Sequence, residues 1–171
     1  MRAAHVVLGV VMLTATGASS NARQQDTSPP QWRSFSGTWS AAGRRQTLRT
    51  EGPRSAAIVE LSGAVMLTTA VGFSRGFRAE AIGFDDGNQV ATGRAVWTDT
   101  RGDLVFSVLK GEPLATGRRV IGAITGGTGR YAGIAGDWQL TWQFVVETDD
   151  GSVQGRASDL TGRVRLAGAT P

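Results

Sequence analysis

The sequence has no cysteine and a single histidine, His5. Without cysteine it can form no disulfide and no thiolate nucleophile. His5 lies at the N-terminus, in a segment with the pattern of a removable leader. A mature chain without this residue has no Ser-His-Asp or Cys-His nucleophile, no ordinary zinc site and no axial haem histidine. Its stability must come from a packed core, which about 150 residues can supply.

Residues 1–22 have the pattern of a secretory signal peptide. Arg2 supplies the positive charge and precedes the apolar stretch VVLGVVMLTA. This stretch is too short to span a bilayer, which needs about 20 apolar residues. Small residues allow cleavage after Ala22 or after Ala18, and the polar segment 23–33 predicts a flexible linker. We expect an exported protein, periplasmic or secreted, with no membrane insertion after cleavage; an uncleaved anchor is the alternative.

Long basic runs are also missing. The chain has 18 Lys and Arg against 14 Asp and Glu, for a net charge of +4, and Lys110 is its only lysine. Adjacent basic residues occur only at Arg44-Arg45 and Arg118-Arg119. Scattered charge of this kind does not predict nucleic-acid binding.

Apolar residues alternate with polar ones along much of the chain, which is typical of half-buried strands. Glycine is abundant, at 24 of 171 residues, and glycines lie at the ends of many of these segments. The pattern predicts eight or nine strands. They are Phe35–Ala41, Ala56–Ser62, Val65–Val71, Gly76–Phe84, Val90–Thr98, Asp103–Lys110, Arg118–Thr125, Asp137–Val146 and Val153–Leu166.

Turn signals between these strands predict an up-and-down order. Three segments have the composition of hairpin turns: 85–88 (DDGN), 99–102 (DTRG) and 149–152 (DDGS). Short strands with tight connections indicate a sandwich or a barrel, and closure of a barrel removes exposed edges. We therefore predict one all-β domain over residues 34–168, a closed antiparallel β-barrel of about eight strands.

The most specific segment is 124–140, ITGGTGRYAGIAGDWQL. A glycine-rich turn can hold phosphate, but nucleotide binding needs a helix N-terminus after it. Here a strand pattern follows, so we do not predict a nucleotide site.

This segment resembles the signature loop and following strand of the allene oxide cyclase and dirigent superfamily. The family pattern GG[ST]G-x-[FY]-x-G-x-x-G is matched by Gly126, Gly127, Thr128, Gly129, Tyr131, Gly133 and Gly136. The resemblance implies an eight-stranded barrel around an apolar cavity, without a cofactor, which in some members steers a cyclisation or a radical coupling. It also implies a structural role for the loop. Relatives that form trimers leave a homo-oligomer open.

A second motif lies in the first strand. Ser36-Gly37-Thr38-Trp39 looks like the opening of lipocalins and avidins, which are also ligand-binding barrels. In this interpretation Gly37 lets the strand bend and Trp39 plugs the closed end of the barrel. An ordinary core tryptophan is the alternative.

Four residues are candidates for catalysis. They are Glu80, Arg94, Tyr131 and Asp137. Glu80 could face Arg94 across the 85–88 turn and provide an acid or an anion anchor inside the barrel. The alternative is a set of solvated surface pairs, with Tyr131 packed over its own turn.

Aromatic side chains on the strands are candidates for cavity lining. They are Trp97, Phe106, Trp138 and Trp142. Together with the missing catalytic groups, they favour binding of a small, largely apolar molecule inside the barrel. A cofactor-free isomerase or cyclase is the alternative, and an accessory subunit of another exported protein is a third. The strand face that points inward stays open, because a shift of one residue exchanges the faces.

Overall fold

The computed structural model describes residues 31–69, 73–87 and 90–167. The strands are β1 (Arg33–Arg49), β2 (Ser55–Thr69), β3 (Gly76–Asp85), β4 (Ala91–Asp99), β5 (Leu104–Pro113), β6 (Arg118–Gly127), β7 (Ala135–Glu147) and β8 (Ser152–Arg165). One turn of 3₁₀ helix, Gly129–Tyr131, lies between β6 and β7. In this part of the chain, no helix is long and apolar enough to cross a membrane. The predicted signal peptide lies outside the described residues.

The strands form a closed antiparallel barrel in sequence order, with β8 paired to β1. The predicted fold class is therefore confirmed. The three predicted hairpin turns connect β3 to β4, β4 to β5 and β7 to β8. Each contains a glycine with φ between +82° and +86°, a conformation that other residues rarely adopt.

The strand count is eight, because two of the predicted segments are one strand. Ala56–Ser62 and Val65–Thr69 both belong to β2, and Val71 lies outside the described residues. Gly63, between them, marks a close approach of two strands and not a turn. A Cβ atom there would lie 2.0 Å from the backbone oxygen of Ser40 on β1.

Side-chain volume is distributed unevenly along the barrel axis. We call the half that carries the β2–β3, β4–β5 and β6–β7 connections the closed half, and the other the open half. Large inward side chains fill the closed half: Phe35, Val65, Leu67, Phe77, Trp97, Val105, Trp138, Leu160 and Val164, with Phe73, Tyr131 and Ile134 from the loops. Inward positions of the open half are small at Ala57, Ala81, Gly83, Ala91, Gly93 and Gly111. The barrel is therefore packed at one end and hollow at the other.

Aromatic rings lie close against glycines of neighbouring strands. A Cβ atom on Gly122 would lie 2.1 Å from the Trp138 ring, and one on Gly155 would lie 2.4 Å from the Trp142 ring. A Cβ atom on Gly162 would lie 2.4 Å from the Phe35 ring. An eight-stranded barrel is only just wide enough for its side chains, so these glycines make room for the rings.

Gly122→Ala should therefore destabilise the barrel by about 2 kcal/mol, because the new methyl group overlaps the Trp138 ring. Gly83→Ala is the matched control, since its Cβ would meet nothing nearer than an oxygen of Thr92 at 3.7 Å. Chemical denaturation of both variants measures the two effects. Equal stability of the two variants would contradict the packing described for Gly122.

Candidate functional site

The open half encloses a cavity of about 330 Å³ that opens between the hairpin connections. Seven strands contribute to its wall, all but β8. Most lining side chains are apolar: Trp39, Ala57, Val59, Leu61, Ala81, Ala91, Leu109, Val120, Trp142 and Phe144. The cavity exists because most inward residues of β3 and β4, and Gly111 of β5, are too small to fill the barrel.

Two tryptophans separate the cavity from the packed half. The ring centroids of Trp39 and Trp142 lie 4.7 Å apart, and both side chains are buried. The strand register of β1 shifts at Gly37, where a Cβ atom would lie 2.2 Å from the Met66 carbonyl oxygen. The bend expected at Gly37 is thus present, but Trp39 forms the floor of the cavity and does not plug the closed end.

Neither indole N–H of this floor has a hydrogen-bond partner among the described residues. A buried donor left unpaired costs about 1–3 kcal/mol. Buried polar groups without a partner are uncommon in native proteins and mark places where packing alone does not explain the residue. Trp39 and Trp142 therefore belong to the candidate site and not only to the core.

An ion pair spans the mouth of the cavity. Arg118 at the start of β6 donates from Nη2 to Oδ2 of Asp85 at the end of β3, three strands away. The arginine side chain passes over Gly111, where a Cβ atom would lie 2.9 Å from its Cδ. Asp85 Oδ1 also accepts a hydrogen bond from the Gly87 N–H, at 2.9 Å. Both charged side chains are mostly buried, at 29% and 23% exposure.

A second, looser pair lies at the same rim. Arg45 lines the cavity, and its Nη1 lies 3.5 Å from Oε1 of Glu147. The three charged side chains that line the cavity are thus Arg45, Asp85 and Arg118, and each has an opposite charge beside it. In the described part of the chain, no three His, Cys, Asp or Glu residues cluster as a metal site would require.

The glycine-rich loop closes the other end of the barrel. Thr128 is fixed to Leu104 by two hydrogen bonds of 2.9 Å, from its N–H to the Leu104 carbonyl and from the Leu104 N–H to its hydroxyl. Gly129 has φ +52°, and a Cβ atom there would overlap the carboxylate of Asp103. This turn places Tyr131 in the packed core, with no exposed surface.

Asp99 anchors this loop from beneath. Its side chain is fully buried and accepts hydrogen bonds from the N–H groups of Arg101 and Asp103 and from the Tyr131 hydroxyl. Arg130 forms an ion pair with the same carboxylate. Burial alone would raise the pKa of Asp99, but the backbone N–H donors, Tyr131 and Arg130 outweigh it, so the pKa lies below its ordinary value.

Tyr131 belongs to this closed end and does not line the cavity. Burial raises its pKa to about 12, against the opposing charge of Arg130. The phenol therefore stays protonated at neutral pH and donates to Asp99 at 3.1 Å. Its position is the one expected for a tyrosine that packs beneath its own turn.

The other three catalytic candidates lie on the outer wall. Glu80 is 46% exposed and pairs with Arg78, and Asp137 is 51% exposed and pairs with Arg163. Arg94 is exposed and faces Ile82 in the register, while Glu80 faces Val96. The structure therefore does not bring these three residues together with Tyr131.

The four aromatic candidates are divided among three places. Trp142 lines the cavity, while Trp97 and Trp138 lie in the closed core with centroids 5.2 Å apart. Trp138 donates to Ser107, the buried hydroxyl on β5, at 3.1 Å. Phe106 alternates with the buried Val105 and Ser107 and so points outward.

Sequence reasoning did not single out Trp39, Asp85 and Arg118 as one site. Each lies in a segment with a sequence signal of its own: Trp39 in the motif of the first strand, Asp85 in a hairpin turn and Arg118 in a basic pair. The sequence does not show which face of each strand points inward. The burial of Phe77 and Ala79 identifies the inward face of β3, since every second residue from Phe77 to Asp85 then points inward.

No family model and no curated protein matches the chain. Among solved structures, it is similar to the pterocarpan synthase dirigent protein GePTS1, with 11% identity, a TM-score of 0.48 and coverage of 81% of this chain and 93% of that one. It is also similar to the pterocarpan synthase dirigent protein PsPTS1, with 12% identity, a TM-score of 0.45 and coverage of 81% and 97%.

Asp99→Asn should lower the free energy of unfolding by about 2–3 kcal/mol at pH 7, because it leaves Arg130 without its buried partner. The folded pKa of Asp99 lies below the ordinary 3.8, so its contribution is present above about pH 4 and is lost as the pH falls through the folded value. The difference between wild type and variant should therefore shrink in acid. Chemical denaturation at pH 7 and pH 3 measures it.

Asp137→Asn is the matched control, since it breaks an exposed ion pair worth less than about 1 kcal/mol. A penalty for Asp99→Asn that is no larger than that of the control would contradict an anchoring role for Asp99.

Proposed function

We propose that this protein binds a small, largely apolar molecule in the open half of the barrel. The observation that carries the proposal is the cavity of about 330 Å³ behind a rim of paired charges. Ligand sites typically have volumes of about 300–1,000 Å³, apolar walls and a few fixed polar groups. Leu61, Val120 and Phe144 give this cavity such a wall, and Asp85 and Arg118 are the fixed polar groups.

A cofactor-free isomerase or cyclase is the second candidate, and the Asp85–Arg118 pair is the observation that favours it. A barrel that holds a reactive substrate in one conformer lowers the entropy cost of a cyclisation. The Arg118 guanidinium could stabilise negative charge that develops on the substrate. Glu80 and Asp137 could not act in this way, because they lie on the outer wall.

Mass spectrometry of the mature protein from its own host separates these candidates. The measurement is made first under native and then under denaturing conditions. A stoichiometric small molecule released on denaturation supports the binding function and gives the ligand class. An empty barrel weighs against tight binding and favours turnover.

We further propose that the protein is exported to the periplasm or secreted. The leader pattern of residues 1–22 supports this, with Ala22 or Ala18 at the cleavage site. Expression in the host with a C-terminal tag should place the protein outside the cytoplasm with Arg23 or Ser19 as its first residue. N-terminal sequencing measures this, and retention of Met1 with cytoplasmic fractionation would contradict export.

Filling the cavity should abolish binding without unfolding the barrel. N-phenyl-1-naphthylamine, a neutral dye that fluoresces in apolar sites, is a suitable probe. Ala81 points into the cavity, so Ala81→Trp should weaken binding of this dye by about tenfold or more. Fluorescence titration measures the affinity, and circular dichroism checks the fold.

Ala123→Trp is the control, because Ala123 lies exposed on the outer face of β6. The same large side chain added there should leave dye binding unchanged. Binding that is unaffected by Ala81→Trp, or weakened equally by both substitutions, would show that the dye occupies another site.

A further inference from the structure

We propose that the Asp85–Arg118 pair makes the cavity selective for an uncharged ligand that carries a hydroxyl group, over the corresponding carboxylate. The inference rests on the proposed binding function and names the chemical class of its ligand. It comes from the placement of the two charges, which both line the cavity and are joined across the mouth of the barrel.

The pair offers a donor and an acceptor at one place. Arg118 keeps N–H groups beyond the one given to Asp85, since a guanidinium has five; of these, Nη1 donates to the Gly111 carbonyl at a long 3.4 Å. Asp85 uses Oδ1 for the Gly87 N–H and Oδ2 for Arg118, and each carboxylate oxygen can accept more than one bond. A hydroxyl group can accept from the arginine and donate to the aspartate at the same time, whereas an ether oxygen can only accept.

The charges at the mouth of the cavity disfavour a ligand that carries a carboxylate. The positive charge of Arg118 is already balanced by Asp85, and both side chains are mostly buried, so solvent screens their neighbourhood only partly. A ligand carboxylate beside Arg118 would lie close to Asp85 and be repelled by it. Arg45, the other cation on the wall, is balanced by Glu147.

The rest of the inward wall cannot reverse this preference. Val59, Leu109 and Val120 offer no polar atom, and the N–H groups of Trp39 and Trp142 at the floor carry no charge. A ligand that enters this half of the barrel therefore meets the charged side chains of the described lining at the rim, with its apolar part toward the tryptophan rings.

The test is displacement of N-phenyl-1-naphthylamine by three probes with the same chain: 1-octanol, octanoate and 1-methoxyoctane. 1-Octanol should displace the dye at a concentration about tenfold lower than either of the other two, because only the hydroxyl group satisfies both members of the pair. Equal displacement by all three would overturn the inference and leave the binding function standing. Displacement by none would overturn both.

Asp85→Asn should remove the selectivity for 1-octanol over octanoate. The asparagine oxygen can still accept from the Gly87 N–H, but the charge of Arg118 is no longer balanced, so octanoate should gain about tenfold relative to 1-octanol. Arg118→Gln is the second variant: it should weaken octanoate further, because the carboxylate of Asp85 remains alone. An unchanged ratio of octanoate to 1-octanol in both variants would overturn the inference.

Glu80→Gln is the matched control, because it removes a carboxylate that pairs with Arg78 on the outer wall. In this variant, the ratio of octanoate to 1-octanol needed to displace the dye should equal that of the wild type. A loss of selectivity there as large as in Asp85→Asn would mean that net charge, and not the pair at the mouth, sets the selectivity.

Discussion

Closure of eight strands into a barrel is the constraint on which the rest of this structure depends. A barrel of this size has an interior that side chains can just fill, so its contents are decided by the residues at inward positions. In the closed half, rings of Trp138 and Phe35 occupy the space left by Gly122 and Gly162. In the open half, the many small inward residues leave part of the interior unfilled. The cavity is therefore a direct consequence of side-chain volume along the strands.

The two ends of the barrel use charge for different purposes. At the closed end, Asp99 is fully buried and surrounded by donors, and it holds the glycine-rich loop against the core. At the open end, Asp85 and Arg118 are partly exposed and border a space that another molecule could fill. Removal of one partner from a fully paired buried charge destabilises a fold, whereas a charge pair beside an apolar cavity is available to a ligand.

Most of the fold could be predicted from the sequence, because alternation and turn residues are local signals. The 124–140 segment likewise predicted a glycine-rich loop that leads into a strand, and the structure has this loop before β7. Gly63 was misleading, since a glycine can mark either a turn or a close contact between strands, and only the partner strand decides between them.

The candidate site was harder to predict, because it depends on residues that are far apart in sequence. Asp85 and Arg118 are separated by 33 positions and meet only when four strands are placed side by side. Alternation alone left the inward face undetermined, so Glu80 on the outer wall looked as suitable as Asp85. Tyr131 was noticed for its chemistry, but its burial and its bond to Asp99 make it part of the closed end.

The division between a packed half and a hollow half also explains how such a barrel can hold a cavity. Open space forfeits contacts and apolar burial, which weakens the half that contains it. Here the loss is confined to one side of Trp39 and Trp142, while six aromatic rings on the other side pack with centroids 4.9–6.3 Å apart. Substitutions at the mouth therefore leave the ring contacts of the closed half in place. The wall of the cavity can change its ligand chemistry while the closed half keeps the barrel folded.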